Sequence, residues 1–198
     1  MTLDSFRPKV AFIVTPLAKA IAALHLTPNA CTVLALLAAA DAGVFFGLGE
    51  TLAAVVLVFV SAFFDAIDGA VARLTGIASP VGDYLDHVFD RYADIFIITG
   101  IFAWGTLTWT GQVPAWAIGV FALTGVLMSS YLGTQAQAVG LKRNYGGILG
   151  RADRLVLLLV FGLPALGWML VIFGVFGHVT AVQRFVSGWR ELNASKKE

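Results

Sequence analysis

Long apolar segments separated by short polar turns run along almost the whole chain. Four segments are each long enough to cross a bilayer as a helix, at about 30–48, 51–74, 82–107 and 115–139. A further segment, 155–182, contains no Asp, Glu, Lys or Arg and is too long for one comfortable span. Its stretch 162–167 contains glycine and proline and offers a break. The pattern therefore predicts an all-α integral membrane protein.

Turn signals mark the ends of these predicted helices. Thr27 is suited to cap the first helix, and Pro28 is suited to its first position. The connection 75–81 contains glycine, serine and proline, so we expect the second helix to end there and the third to begin near Gly82.

The segment 1–25 differs from the rest because basic and apolar residues alternate in it. Arg7, Lys9 and Lys19 lie among large apolar side chains, a pattern typical of an amphipathic helix at the membrane surface. Because Pro16 and Lys19 interrupt the apolar stretch, a signal peptide is not expected.

The positions of the basic residues indicate how many times the chain crosses the membrane. Basic residues occur near the N terminus, around 73–91, at 142–154 and in a C-terminal tail from Arg184, whereas the turns near Glu50 and Pro164 carry none. With six spans the positive-inside rule places every basic cluster in the cytoplasm, and with five spans the tail falls outside. We therefore predict six transmembrane helices, with both termini and the site on the cytoplasmic side.

The predicted organisation is a juxtamembrane amphipathic helix at 1–25, one six-helix domain at 26–192 and a polar tail at 193–198. No internal repeat or linker is visible in the sequence. The net charge of +1 gives no indication of nucleic-acid binding, and Cys31, the one cysteine, excludes an internal disulfide.

Acidic residues are concentrated in one part of this apolar chain. Six of the twelve lie between positions 65 and 94, although the chain is 59% hydrophobic and 13% charged. An Asp at the centre of a membrane helix costs roughly 2.5–3.5 kcal/mol, so such residues usually mark a function. Asp65 and Asp68 share one helical face, as do Asp86 and Asp90, so two facing helices would bring four carboxylates together.

Carboxylate oxygens are hard ligands that suit Mg²⁺ or Mn²⁺. Gly69 leaves the backbone open to a ligand, and Arg73 places a positive charge about one turn away. Acids that hold metal beside a guanidinium that holds phosphate indicate phosphoryl transfer. We interpret Asp83 and Asp94 as capping or interfacial residues, and expect His87 to face away from the neighbouring acids by about 100° of helical rotation.

The spacing of these residues resembles the signature of the CDP-alcohol phosphotransferase (CDP-alcohol phosphatidyltransferase) family. The matching positions are Asp65, Asp68, Gly69, Ala72, Arg73, Gly82, Asp86 and Asp90. The resemblance implies six spans around a polar cavity and displacement of CMP from a CDP-linked lipid by the hydroxyl of a small polar alcohol. It also implies two divalent cations, Mg²⁺ or Mn²⁺, contact with membrane lipid, and a homodimer.

The resemblance further implies a role for each residue. The metal ligands would be Asp65, Asp68, Asp86 and Asp90, and Asp90 would also be the general base. The CDP-binding residues would be Asn29, Thr32, Asp65, Gly69, Ala72, Arg73 and Gly82. Helix capping would account equally well for Asn29, and close helix packing for Gly82.

The acceptor alcohol is less well defined. Four residues resemble positions in the branch that makes phosphatidylinositol phosphate or archaetidylinositol phosphate: Ser130, Tyr131, Arg151 and Arg154. An inositol phosphate would need cationic donors, which Lys142 and Arg143 also supply, although positive-inside topology explains those two as well. That branch usually carries basic residues just after the Ser-Tyr pair, whereas this chain has Gly133 and Gln135, which leaves a neutral polyol or an amino alcohol open.

Two other classes of protein could place acids inside a helix bundle. A divalent-cation transporter would need converging carboxylates but not a glycine and an arginine at fixed offsets from them. A non-catalytic scaffold would have no use for four costly acids. The sequence leaves open whether the lipid donor carries ester-linked or ether-linked chains.

Overall fold

The computed structural model describes residues 7–103, 113–142, 144 and 146–194. The described residues form six α-helices and no strand: α1 Arg7–Ala23, α2 Pro28–Gly47, α3 Thr51–Thr75, α4 Pro80–Ala103, α5 Ala115–Ala138 and α6 Arg151–Ala194. Four parts of the sequence predictions lie outside the described residues: positions 1–6, the end of the third span at 104–107, Arg143, and the tail positions 195–198.

Four of these helices, α2, α3, α5 and α6, are long and apolar enough to cross a membrane. Helix α4 has 24 residues, a comparable length, but carries the acidic residues of the predicted site. The all-α membrane architecture expected from the apolar pattern is therefore confirmed.

Helix α6 changes direction at Ala165. Its 44 residues would extend about 66 Å as a straight helix, roughly twice the hydrocarbon thickness of a bilayer. Ala165 has non-helical dihedral angles (φ −145°, ψ 36°), directly after Pro164, which cannot donate a backbone hydrogen bond. The break predicted at 162–167 is therefore confirmed.

Contacts with α5 show that the two parts of α6 run in opposite directions. A Cβ at Gly125 would meet Gly174, and Arg184 bonds the carbonyl of Ser129, so α5 and the second part of α6 run parallel. The backbone N–H of Leu149 donates to the Thr180 hydroxyl (3.0 Å), which puts the start of α6 beside the middle of its second part. The first part must therefore run back along the second.

Helices α1 to α4 form one compact unit, and α5 and α6 form another. In the first unit α2 packs against both α3 and α4, while α1 packs against α3. Ala18 of α1 is fully buried in a cluster with Ile67, Ala70 and Val71. Helix α1 therefore supports the part of α3 that carries Asp65 and Asp68.

The helix ends in this unit follow from local chemistry. The Thr27 hydroxyl accepts a hydrogen bond from the N–H of Ala30 (3.2 Å), and Pro28 occupies the first turn, as predicted. Helix α3 ends at Gly76, which has a left-handed conformation (φ 70°). Helix α4 begins at Pro80, two residues before the expected start, because the Ser79 hydroxyl accepts from the N–H of Gly82 (3.1 Å) and so caps an earlier turn.

Helices α2 and α4 cross with their backbones in close contact at Gly43 and Gly100. A Cβ at Gly100 would overlap the carbonyl of Gly43, and one at Gly43 would overlap the carbonyl of Phe96. Small residues at such crossings allow membrane helices to pack closely.

We expect Gly100→Ala to destabilise the protein by about 1–3 kcal/mol, because the added methyl group must force the two backbones apart. The matched control is Gly47→Ala on α2, where a Cβ would meet nothing within 4 Å. The measurement is the thermal unfolding midpoint in detergent. Equal midpoints for the two variants would contradict the close crossing.

Candidate active site

Three aspartates from the second half of α3 and the first half of α4 converge. Asp65, Asp68 and Asp86 each offer one carboxylate oxygen, and these oxygens all lie within 4.8 Å of one another. Asp68 is buried, with 7% of its surface exposed, and the other two are half-buried. This three-aspartate cluster offers the hard oxygen ligands that Mg²⁺ and Mn²⁺ prefer, so the donor set fits a divalent cation.

Both carboxylate oxygens of Asp68 accept hydrogen bonds. The Thr32 hydroxyl of α2 donates to Oδ2 (2.9 Å), and the backbone N–H of Gly69 donates to Oδ1. The Thr32 oxygen also lies 3.1 Å from the carbonyl oxygen of Pro28. Thr32, predicted as a CDP contact, therefore touches the cluster itself and restricts the orientation of Asp68. Such partners of metal-binding carboxylates typically affect metal affinity.

We expect Thr32→Val to weaken Mn²⁺ binding by about 10- to 100-fold, because Asp68 loses one of the two donors that orient it. Mn²⁺ binding to the purified protein can be measured by electron paramagnetic resonance without any substrate. The matched control is Thr75→Val on α3, since the Thr75 hydroxyl donates to the backbone carbonyl of Val71 (2.7 Å). Equal Mn²⁺ affinities for the two variants would show that Thr32 does not orient the cluster.

The other predicted CDP-binding residues lie in the same unit. The Arg73 guanidinium lies over Gly69, where a Cβ would be 3.3 Å from Nη1. A Cβ at Gly82 would be 3.5 Å from Oδ1 of the exposed Asn29, so the starts of α2 and α4 lie side by side. Ala72 lies in the last turn of α3, where its carbonyl accepts the N–H that ends the helix.

Asp90 is not part of the three-aspartate cluster. It lies one helical turn beyond Asp86, and its Oδ2 accepts a hydrogen bond from Nη2 of Arg91 (3.2 Å). The sequence predicted that four carboxylates converge, and the structure brings three of them together. Asp90 lies outside this group because four residues along a helix rise about 6 Å, which separates Asp90 from Asp86.

The interpretation of Asp94 as a capping or interfacial residue is wrong. Asp94 is buried, since it shares the packed face of α4 with Ile97, Ile98 and Ile101. Asp83, by contrast, lies in the first turn of α4 and is exposed, as a capping residue would be.

The expectation that His87 faces away from the acids is also wrong. Its Nδ1 lies 3.6 Å from a carboxylate oxygen of Asp86 and 3.9 Å from one of Asp83. The Cα–Cβ bonds of His87 and Asp86 leave the helix in different directions. The imidazole ring can nevertheless rotate back towards the previous turn, where Asp83 lies four residues earlier.

The predicted acceptor residues lie in the unit formed by α5 and α6. Ser130 is buried and Tyr131 is exposed, because consecutive residues of a helix point about 100° apart. Arg151 begins α6 and is half-buried, while Arg154 is buried, with 4% of its surface exposed. Lys142 is exposed in the preceding loop.

The sequence pattern places Arg184 only in a basic tail and does not indicate its position in this unit. Its Nε donates to the carbonyl of Gly146 (2.8 Å) and its Nη1 to the carbonyl of Ser129. A Cβ at Gly133 would lie 3.0 Å from Nη1. A guanidinium therefore occupies the space beside Gly133, close to the Ser-Tyr pair. No local pattern joins residues this far apart in the sequence, so only the packing of α5 on α6 reveals the contact.

Comparison with known proteins agrees with the geometry. The sequence model of the CDP-alcohol phosphatidyltransferase family matches residues 25–183. The archaetidylinositol phosphate synthase of Pyrococcus horikoshii is 31% identical over 193 residues, which cover 96% of this chain and 98% of that protein.

Solved structures of a related enzyme resemble most of the chain. The crystal structure of Mycobacterium tuberculosis phosphatidylinositol phosphate synthase with CDP-DAG bound has a TM-score of 0.76 at 29% identity, covering 89% of this chain and 94% of that one. The same enzyme in complex with manganese and citrate has a TM-score of 0.75 at 27% identity, covering 89% and 88%. These relatives confirm the resemblance to the phosphatidylinositol phosphate and archaetidylinositol phosphate synthase branch. The chain belongs to the CDP-alcohol phosphatidyltransferase family.

Proposed function

We propose that the protein transfers a phosphatidyl-type group from a CDP-linked lipid to a hydroxyl of inositol phosphate and releases CMP. The observation that carries this proposal is the three-aspartate cluster, within 4.8 Å, beside the Arg73 guanidinium in a chain of this family. The names of the relatives favour inositol phosphate over a neutral polyol or an amino alcohol. The lipid part is diacylglycerol phosphate or archaeol phosphate.

In the proposed reaction the acceptor hydroxyl oxygen forms a bond to the phosphorus atom that carries the lipid. The bond from that phosphorus to the bridging oxygen of the diphosphate breaks, and CMP leaves with that oxygen. The hydroxyl proton passes to Asp90 as the general base.

The cluster aspartates together with Asp90 would hold two divalent cations, Mg²⁺ or Mn²⁺. When bound, such cations neutralise charge on the diphosphate and on the leaving CMP. The manganese in the related M. tuberculosis structure supports this assignment. Thr32 and Gly69 would keep Asp68 oriented towards the ions through their hydrogen bonds.

The CDP-binding residues proposed are Asn29, Thr32, Asp65, Gly69, Ala72, Arg73 and Gly82. Gly69 supports this role because its lack of a side chain allows the Arg73 guanidinium to lie close to the backbone next to Asp68. Arg73 can offer a phosphate two parallel N–H donors.

The acceptor residues proposed are Ser130, Tyr131, Arg151 and Arg154, to which the structure adds Arg184. Arg151 and Arg154 lie in the first turn of α6, where the helix dipole disfavours cations, so an anionic ligand would explain their placement. Arg184 supplies a cation next to Gly133, where the sequence lacks one. These cations favour a phosphorylated acceptor over a neutral one.

For the membrane arrangement we propose six spans within 26–192, formed by α2, α3, α4, α5 and the two parts of α6. The reversal at Ala165 supports the sixth span. Helix α1, within the segment 1–25, would lie at the cytoplasmic surface, both termini and the site would face the cytoplasm, and the chain would form a homodimer. Residues 193–198 would be a polar tail.

The experiment that tests this proposal is CMP release by the purified protein in detergent with Mg²⁺. CDP-diacylglycerol and CDP-archaeol would each be paired with inositol phosphate, glycerol phosphate, inositol, serine and ethanolamine. We expect release with inositol phosphate and none without an acceptor. Release only with another alcohol would overturn the acceptor assignment. Absence of release with every pair, together with cation uptake by sealed vesicles that contain the protein, would favour a transporter.

A further inference from the structure

Asp90, Arg91 and Asp94 form a charged network on α4. The proposed function gives a role to Asp90 but not to Arg91 or Asp94. Nη2 of Arg91 lies 3.2 Å from Oδ2 of Asp90, and its Nε lies 4.0 Å from Oδ2 of Asp94. The side chains are well covered, with exposed fractions of 25% for Arg91, 13% for Asp90 and 9% for Asp94.

Helix geometry shows that this arrangement depends on the arginine. Asp90 and Asp94 are four residues apart and share one face of α4. The Arg91 side chain leaves the helix in a direction about 100° away from that of Asp90. Adjacent residues of a helix do not normally face each other, so the Arg91 side chain must bend across the helix surface to reach Asp90. Asp94 lies one turn beyond both residues and attracts the guanidinium across 4.0 Å as an ion pair, without a hydrogen bond from Nε.

We infer that Arg91, anchored by Asp94, is a positioning residue that orients the carboxylate of Asp90. This inference rests on the proposed function, in which Asp90 accepts the hydroxyl proton. A planar guanidinium that donates to Oδ2 restricts rotation of the Asp90 carboxylate and so fixes the direction in which Asp90 accepts the hydroxyl proton. Asp94 acts through Arg91, which explains why an acid is buried one turn away from the reacting groups.

The alternative is that Arg91 only neutralises two buried acids. Loss of its charge would then leave uncompensated buried carboxylates and destabilise the protein. Arg91→Lys separates the two roles because lysine keeps the charge but lacks the planar fork. Asp94→Asn removes the negative charge that attracts the guanidinium and leaves residue Arg91 unchanged.

We expect Arg91→Lys and Asp94→Asn each to lower kcat for CMP release by about 10- to 100-fold, since a small misplacement of a catalytic group is enough for such a loss. KM for the CDP-lipid and Mn²⁺ affinity of the three-aspartate cluster should stay within about twofold of wild type, because the cluster excludes Asp90. The matched control is Arg190→Lys, an exposed arginine of α6.

The decisive measurement is single-turnover CMP release in an Asp90→Asn background. Arg91→Lys should have no further effect there, since it acts through Asp90, whereas a purely structural role would lower the rate again. Full activity of both single variants, or additive losses in the double variant, would overturn the inference. An inactive wild-type protein would instead overturn the proposed function.

Discussion

Replacing Asp68 with asparagine is expected to lower CMP release by about 10²- to 10³-fold. Asp68 is the buried member of the three-aspartate cluster, and both of its oxygens are engaged by Thr32 and Gly69. Asparagine keeps the size of the side chain but removes one anionic ligand from the cation site. A loss of about 3–4 kcal/mol of charge stabilisation in the transition state corresponds to a rate decrease of this order.

Binding and stability measurements show whether the loss arises at the cluster. Mn²⁺ should raise the thermal unfolding midpoint of the wild type and have little effect on Asp68→Asn. Without metal, the variant should have an unfolding midpoint close to that of the wild type, because relief of repulsion among the three carboxylates within 4.8 Å offsets the loss of one of the two hydrogen bonds that Asp68 accepts. Asp41→Asn, which changes an exposed acid of α2, is the matched control. A fully active Asp68→Asn protein would disprove the cluster as the catalytic metal site.

The second large effect is expected for Asp90→Asn. General-base catalysis typically contributes 10²- to 10⁴-fold, so kcat should fall by about that factor. The three-aspartate cluster remains intact in this variant, so binding of the first Mn²⁺ ion and of the CDP-lipid should be retained. Single-turnover CMP release, measured beside Mn²⁺ binding, separates the loss of a proton acceptor from the loss of a cation site.

The control for Asp90→Asn is Asp83→Asn, which removes an exposed acid from the first turn of the same helix. Asp83→Asn should keep nearly the full rate. Loss of Mn²⁺ binding together with activity in Asp90→Asn would assign Asp90 to the cation site alone. A normal rate in this variant would exclude Asp90 as the general base.

Much of the architecture was predictable because it depends on local periodicity and chemistry. Apolar length indicated the membrane helices, Thr27 and Pro28 indicated the start of α2, and the glycines around Pro164 indicated the break in α6. Helix α4 begins two residues before the predicted start because Ser79 caps it, a contact that apolar periodicity does not indicate.

The sequence by itself determined which residues are the candidates for the chemistry. The spacing of the aspartates places each pair on one helical face, and the burial of acids in an apolar chain is costly enough to indicate a function. Only the tertiary structure decided that Asp65, Asp68 and Asp86 meet while Asp90 pairs with Arg91.

The tertiary structure likewise decided the partners of these groups. Thr32 bonds Asp68 across 36 positions of sequence, and Arg184 lies against Gly133 although the two belong to different helices. The physical reason is that helical periodicity specifies only the direction in which a side chain leaves its own helix. The crossing of neighbouring helices and the rotamers of long side chains determine which groups come within bonding distance.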